Sequence, residues 1–425
     1  MHAAIPLKTM ALACATLALC ACQSTVAPKA DSAGPAPCAG PGAWIEPDTG
    51  QARGADQVLA AAARRDIVLL GESHTSASHH LWQLQTLAGL YAYRPRVVLG
   101  FEMLPRSTQP ALDRWVGGQY SEDEFLAAVG WYQHWGYDPA HYLPLFRFAR
   151  LNRQPAQALN VDRGLVMRVG AEGWDAIPAS ERQGLGDPAP ATEGYRLALA
   201  EVYRQKLQQA AHGSAAPGKP APLPALAATL ASSDFQHFVQ AQLTWDRAMA
   251  EALLQARRQH PGALVVGIMG RGHVDYGYGV PHQLAALGEH GVVTLVPVDT
   301  GAPCTDMAAD LADVVFTVPP EQSFHASPPR PRLGVALDDQ AQRVTVLRVS
   351  DGSVAQSTGL RPGDVIASAA GSALNSPAEL VGIIARQPWG TWLPLEVVRD
   401  GKRLGLVARF PPSPHRHEAT AKEAP

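Results

Sequence analysis

Cysteine is scarce in this chain, with five in 425 residues, and Cys14, Cys20 and Cys22 fall close to the N-terminus. A small scaffold stapled by many disulfides is therefore excluded. Long apolar runs are lacking too. Beyond the N-terminal stretch none reaches the roughly 20 residues that a spanning helix needs, so the body of the chain is expected to be soluble. Charge of one sign is also missing. The 35 lysines and arginines are interleaved with 38 aspartates and glutamates, for a net charge of −3, and no basic block offers a nucleic-acid surface. Neither a nucleophile elbow, a P-loop nor a His-x-x-x-His pair is present, which removes several enzyme classes.

The N-terminus carries a positive signal. "MHAAIPLKTMALACATLALCACQS" has one lysine and then an apolar stretch from Met10 to Ala21, too short to span a bilayer, and it reads as a secretion signal. Its end, Leu19-Cys20-Ala21-Cys22, resembles a bacterial lipobox, with Cys22 as the residue to be lipidated. Gln23 and Ser24 follow rather than an aspartate. The expected address is the bacterial cell envelope, at the outer membrane facing the periplasm, with a lipid anchor as the only membrane contact. In that oxidising compartment the two remaining cysteines, Cys38 and Cys304, are expected to pair.

Composition divides the chain further. Residues 1–22 form the signal segment, and 23–43, rich in Ala, Pro, Ser and Gly, a flexible tether. From 44 to 318 short apolar runs alternate with helix-length amphipathic segments: "IVLLG", "RVVLGFE", "AQALNVD", "ALVVGIMG" and "VVTLVPVD". Near-continuous apolar strands separated by helices predict an α/β domain with a mostly parallel sheet flanked by helices. Ser121 and Glu124 stand at capping-box spacing, and Pro281 fits a first helical turn. Residues 170–242 interrupt the alternation and are expected to form a helical insertion or lid around the low-complexity "HGSAAPGKPAPLPA". A Pro-rich linker, 319–331, precedes a small β-rich domain, 332–411, and a disordered tail, 412–425.

Chemistry-bearing residues gather at the ends of the predicted strands, where ligands bind in open parallel sheets. Glu72 and His74 follow the first, Glu102 ends the second, Asn160, Asp162 and Arg163 the third, and Arg271 and His273 follow the fourth. Gly71, Gly270 and Gly272 suit tight exits and close backbone approach. A glutamate with two histidines can hold a metal or move protons. Any one of these alone is more often a cap or an ion-pair partner; their convergence points to a site. Aromatics surround them: Trp131, Tyr132, Trp135, Tyr137, His141, Tyr142, Tyr276 and Tyr278, a density that suits a flat apolar ligand. Many aromatics at helical spacing are core, and Leu145, Phe146 and Phe148 are expected there.

The set "GESH", "GFEM", "ALNVDRGLV" and "GRGHVDYGYGVPHQL" resembles the ChaN-like haem-binding proteins of the wider Tiki superfamily, over about Trp44 to Val318. The resemblance implies an α/β domain, export, and haem held by a tyrosine, sometimes as a face-to-face pair in a homodimer. Relatives in the superfamily use the two Gly-x-x-His motifs and the glutamate for hydrolysis. The matched residues are Glu72, His74, Glu102 and His273. Haem is accordingly expected between the Glu72 and His74 loop and the loop after His273, with Tyr276, Tyr278 or Tyr142 as axial donor, His273 nearby, and Arg271 or Arg163 facing the propionates. In the hydrolase reading, Glu72, His74, Glu102 and His273 are catalytic, and His74, Glu102 and His273 hold a divalent metal.

From Arg332 to Phe410 the chain resembles a PDZ domain. "RLGVAL" matches its peptide-binding loop and strand, "SVAQSTGLRPGDVIASAAGSAL" its signature, and "SPAELVGII" its helix. The resemblance implies that Arg332, Leu333, Gly334 and Val335 receive a peptide or protein C-terminus by strand addition. Three readings follow: a lipid-anchored haem-binding protein in haem or iron uptake, a hydrolase, or a PDZ adaptor whose first domain is inert.

Overall fold

The computed structural model describes residues 39–214, 223–300, 307–319, 331–338 and 343–412. Cys22, Cys38 and Cys304 lie outside the described residues, and with them the expected lipid anchor and disulfide.

Eight strands make one sheet: β1 (Trp44–Glu46), β2 (Gln51–Arg53), β3 (Ile67–Glu72), β4 (Val97–Pro105), β5 (Ala156–Asn160), β6 (Leu264–Gly270), β7 (Val292–Asp299) and β8 (Val314–Val318), in the order β2-β1-β8-β7-β3-β6-β4-β5. Every pairing from β8 to β5 is parallel, and β1 lies antiparallel to β8 and β2. The five apolar runs read from sequence become β3 to β7 in turn. β8 arises in the stretch before the linker, outside the five apolar runs read from sequence. Its five residues are too few to show a period, and the ladders to β7 and β1 define it.

All residues of β3, β4 and β6 are buried, because helices cover both faces of the sheet. Val68 and Leu70 point into one core with Leu87, Leu90, Tyr142 and Phe146 from the helices Ala77–Tyr93 and Pro139–Leu151. Ile67 and Leu69 point into the other, with Met249, Leu253 and Leu284 from the helices Ser233–Gln259 and Val280–Ala286. This alternation is the period-two rule applied to a sheet buried on both sides. Truncating Leu70 or Phe146 to alanine would cost about 3 kcal/mol. Ser121 and Glu124 close the expected capping box at the start of the Glu122–Ala128 helix.

Within the span 170–242, read from sequence as an insertion, helices stand at Glu193–Ser214 and Leu226–Ala231. Sequence placed its end at residue 242. The structure runs the 27-residue helix Ser233–Gln259 without a break from the insertion onto the sheet. Tyr195, Leu199, Phe235 and Val239 give this region a small core of its own.

The C-terminal domain is an antiparallel sheet of β9 (Val335–Leu337), β10 (Val344–Val349), β11 (Val365–Ala369), β12 (Ser372–Ala373), β13 (Trp392–Arg399) and β14 (Lys402–Arg409), ordered β14-β13-β11-β10-β9, with β12 on β11. Leu333, Ile366, Leu380, Leu395 and Val397 fill its core. Among the described residues no helix is long and apolar enough to cross a membrane.

Candidate functional site: a ligand cavity at the strand ends

Because β6 lies between β3 and β4, its exit at Gly270 is flanked by a carboxylate from each: Glu72 ends β3, and Glu102 stands in β4 just past its last pairing with β6. Glu72 sits beside Gly270 in the ladder, and Glu102 Oε2 accepts the Gly270 N–H at 2.5 Å. The glycine is required there. A Cβ on Gly270 would stand 2.6 Å from Cε1 of His74, so only a bare backbone lets that ring approach. Gly71 plays the same part toward Val296 and Arg271, 2.9 and 3.2 Å from its own absent Cβ.

Two buried carboxylate–histidine arrangements meet at this exit. His74 Nδ1 lies 2.6 Å from Glu72 Oε1. Burial pushes the Glu72 carboxyl up against the pull of His74. Burial also disfavours charge on His74, but the hydrogen bond to Glu72 and the field of Glu102 outweigh it and hold the imidazole above its ordinary value. Glu72 Oε2 finds no hydrogen-bond donor among the described residues; His80 Nε2 stands 3.7 Å away, and burial pushes the His80 imidazole down to about 4.

Across the exit, His273 is clamped between carboxylates. Its Nδ1 lies 2.6 Å from Asp246 Oδ1 and its Nε2 3.4 Å from Glu102 Oε1. Burial opposes charge on this ring, yet Glu102 and Asp246 together raise it well above an ordinary histidine. Glu102 is buried as well, and the charges of His273 and His74, with the Gly270 N–H, keep it below the usual carboxylate range.

His74, Glu102 and His273 floor a cavity of about 420 Å³, walled by His134, Trp135, Tyr137, Asn160, Arg163 and Trp245 among others. That volume lies in the range of small-molecule sites. Trp135 meets the His74 ring edge-on at 4.7 Å and Tyr137 lies 4.9 Å from it. Arg163 is exposed at the mouth, at the start of the helix Arg163–Glu172. Asn160 turns its amide to the Glu102 carbonyl at 3.2 Å, and Asp162 accepts from Ser107 at 2.7 Å.

Of the residues expected at the site, the structure brings Glu102, His74, His273, Asn160 and Arg163 to the cavity wall, with Glu72 directly behind His74. It does not bring the three candidate tyrosines there. Tyr142 is fully buried in the core, packed on His80 and Trp131, with its hydroxyl 3.5 Å from Glu72 Oε1; burial pushes the phenol far up. Tyr276 takes a left-handed backbone, φ 59°, in the tight turn after His273, and faces a separate cleft with Asp48 and Asp310. Tyr278 lies against the inserted helix, where a Cβ on Gly194 would be 2.4 Å from its hydroxyl. Arg271 is held by Asp275 at 2.8 Å and by the Pro297 carbonyl and does not line the cavity. For a metal, Glu72, His74 and Glu102 offer ligand atoms within 4.8 Å of one another. Glu72 thus takes the place expected of His273, whose two nitrogens face Asp246 and Glu102.

The family described as haem-binding uptake, Tiki superfamily, ChaN matches residues 58–284, more than half of the chain. The chain belongs to this family. A PDZ domain matches residues 331–407. No curated protein sequence is significantly similar to the chain. Among solved structures it is similar to ChaN of Campylobacter jejuni with cofacially bound haem, at 15% identity and a TM-score of 0.47 over 64% of this chain and 95% of that one. It is also similar to an erythromycin esterase mutant in its open conformation, at 12% identity and a TM-score of 0.35 over 57% and 72%. The HtrA-type protease AlgW with a decapeptide gives 24% identity and a TM-score of 0.20 over 21% and 32%.

In this ChaN-family chain, sequence reasoning listed Tyr137 and Trp135 only among the surrounding aromatics and missed His134, Trp245, Asp246 and Tyr195. A signal for Asp246 existed. It lies on the stripe Val239, Leu243, Asp246, Ala250 and Leu253, all buried, and an aspartate on the apolar face of a long helix demands a partner.

The PDZ domain offers a second concavity, about 460 Å³, between β9 and the helix Pro377–Ala385. Arg332, Leu333, Gly334 and Val335 line it as expected, with Leu337, Arg348, Val381 and Ile384. Gly334 has φ 84°, and a Cβ there would fall 2.3 Å from Cβ of Ser353, so the loop needs this glycine. Among the described residues β9 pairs only with β10, which leaves its other edge available for an added strand.

Proposed function

We propose that the strand-end cavity binds haem, with Tyr137 and the imidazoles of His74 and His134 as the donor set and Arg163 as the cation for a propionate. The observation that carries this reading is Tyr137 itself, the tyrosine on the cavity wall, 38% exposed, with its ring against His74 and Trp135. A phenol, two imidazoles, two indoles and a free guanidinium on one wall fit what a porphyrin needs: apolar faces, an axial donor and a positive group. Haem supplies the redox and ligand-binding chemistry, and the chain sets its orientation and the polarity around it.

The short apolar stretch ahead of Cys22 supports an exported, lipid-anchored protein of the bacterial envelope, facing the periplasm and engaged in haem or iron handling. The PDZ groove, by its open β9 edge, supports capture of an extended peptide C-terminus. Mass spectrometry of membrane-extracted protein should find a diacylglyceryl group on Cys22, and non-reducing peptide maps should join Cys38 to Cys304.

A second reading is favoured by the unsatisfied Glu72 Oε2 and the close grouping of Glu72, His74 and Glu102, which suit a divalent metal, with His273, outside that set, as the base for hydrolysis. One titration separates the two. Wild type should bind haem saturably, one to one, with the absorption bands of a phenolate on ferric iron, and Tyr137→Phe should lose those bands while Tyr276→Phe and Tyr278→Phe keep them. Absence of such bands in wild type, together with zinc binding lost in Glu102→Gln, replaces the haem reading with the metal one.

A further inference from the structure

Asp246 is fully buried in the middle of an otherwise apolar helical stripe, a costly place for a carboxylate unless both oxygens are occupied. Both are. Oδ1 meets His273 Nδ1 at 2.6 Å, and Oδ2 accepts the hydroxyl of Tyr195 at 2.8 Å. Tyr195 is itself buried and belongs to the inserted helix Glu193–Ser214, none of whose described side chains lines the cavity. The insertion is seated at this point on both sides: the Tyr195 ring packs 5.9 Å from Tyr278, whose hydroxyl abuts Gly194. The backbone closes in as well, since a Cβ on Gly279 would stand 2.8 Å from Asp246 Oδ1.

We infer that Asp246 and Tyr195 are positioning residues of the cavity. They hold a proton on Nδ1 of His273, whichever state Nε2 takes, and turn Nε2 toward Glu102 and the ligand. The partner of one ring nitrogen decides what the other can do. An acceptor fixed on Nδ1 leaves Nε2 as the atom presented to the cavity, beside a Glu102 whose other oxygen is pinned by Gly270 N–H. The line Tyr195, Asp246, His273, Glu102, Gly270 thus runs from the insertion to the strand exit. Through it a segment that never touches the ligand sets the polarity of the cavity floor. The inference rests on the cavity being a ligand site, but the arrangement of the ring can be read without ligand.

The test uses the full chain with ¹⁵N-labelled histidine, in wild type, Asp246→Asn and Tyr195→Phe. The His273 resonances are assigned by their loss in His273→Gln. Wild type should show a protonated Nδ1 with a downfield, exchange-protected proton. That proton should move strongly upfield in Asp246→Asn, and in Tyr195→Phe it should persist but exchange faster. Haem affinity should fall roughly tenfold in each variant, the scale of such supporting partners, with thermal melting still cooperative. A residue of merely structural role would lower the melting temperature and leave the Nδ1 proton where it was. That outcome, or an unprotonated Nδ1 in wild type, overturns the inference. If wild type binds no haem, the haem reading fails, and the Nδ1 signal alone decides whether Asp246 and Tyr195 hold the ring.

Discussion

Around the cavity of the α/β domain, Glu72, Glu102 and Asp246 are all buried and each has a histidine ring against it. In the PDZ domain the buried carboxylate among the described residues is Asp364, and it faces an arginine. Arg399 grips both its oxygens at 2.7 Å, and the Arg361 N–H adds a third donor at 2.8 Å. An arginine stays charged and fixes geometry, so this pair holds the turn before β11 to β13. Imidazoles gain and lose protons and can meet a ligand. The PDZ carboxylate holds the chain together and those around the cavity hold rings toward it, while Glu289 of the α/β domain, buried against Arg257, is of the first kind. Substitutions should therefore separate stability from binding.

The largest stability effect belongs to Asp364. Asp364→Ala leaves Arg399 without its partner and should remove about 3 kcal/mol or more from the PDZ domain, read as a lower urea midpoint of that domain, while haem affinity stays unchanged. The hydrogen bonds from Arg399, against some desolvation, hold the Asp364 carboxyl below the usual range. Its contribution is thus present above the unfolded carboxylate pKa, about 3.9, and disappears as pH falls through the lower folded value. Wild type should lose this increment on acidification below about pH 4, and Asp364→Ala should show no such loss.

Next come two glycines of one motif, "GRGH". Gly270→Ala forces the new Cβ onto His74 and should cost roughly 1–3 kcal/mol as overpacking, and it should abolish binding by swinging the ring off Glu72. Nothing stands within 4 Å of a Cβ on Gly272, and Gly272→Ala should stay within about 0.5 kcal/mol of wild type and bind normally. Equal binding by the two variants would show that the position of His74 does not matter to the ligand.

This contrast also marks where sequence reasoning reached and where it stopped. The strands β3 to β7 were legible because a sheet buried on both faces writes continuous apolar runs, and the strand-end rule then placed Glu72, His74, Glu102 and His273 together. Gly-x-x-His alone could not say which glycine is crowded, since that depends on a ring arriving from β3. Nor could aromatic density assign the tyrosines. Tyr137 and Tyr142 are five positions apart, yet helix Pro139–Leu151 turns Tyr142 into the core while Tyr137, two residues ahead of the helix, stays on the cavity wall. Tyr276 and Tyr278 looked free because they flank glycines. In three dimensions the turn aims one at another cleft and the other at the insertion, whose packing no local pattern records.

Gly334→Ala tests the other half of the comparison. A left-handed backbone costs an L-residue about 1–2 kcal/mol, and Ser353 blocks the added methyl. The variant should lose affinity for C-terminal peptides and keep haem binding intact, measured on one preparation by calorimetry and absorbance. Loss of both would mean that the groove and the cavity are not separate sites.

The smallest effect lies where the two regions touch. Tyr132, in the helix Trp131–His134 beside the cavity wall, packs its ring on Gly382 of the PDZ helix, 2.5 Å from where a Cβ would stand. Arg386 donates to its hydroxyl and lies 5.5 Å over its ring, and Gln133 reaches Ser376 at 3.1 Å. The contact is partly solvated, so Tyr132→Phe should remove only about 0.5–1 kcal/mol. Scanning calorimetry resolves where that loss falls. If the PDZ transition drops while the α/β transition holds, docking on the Tyr132 helix supports the smaller domain, and a peptide in its groove acts beside the cavity wall. If neither moves, the two domains are independent in energy, and their different use of buried charge reflects two separate folding problems joined only by the chain.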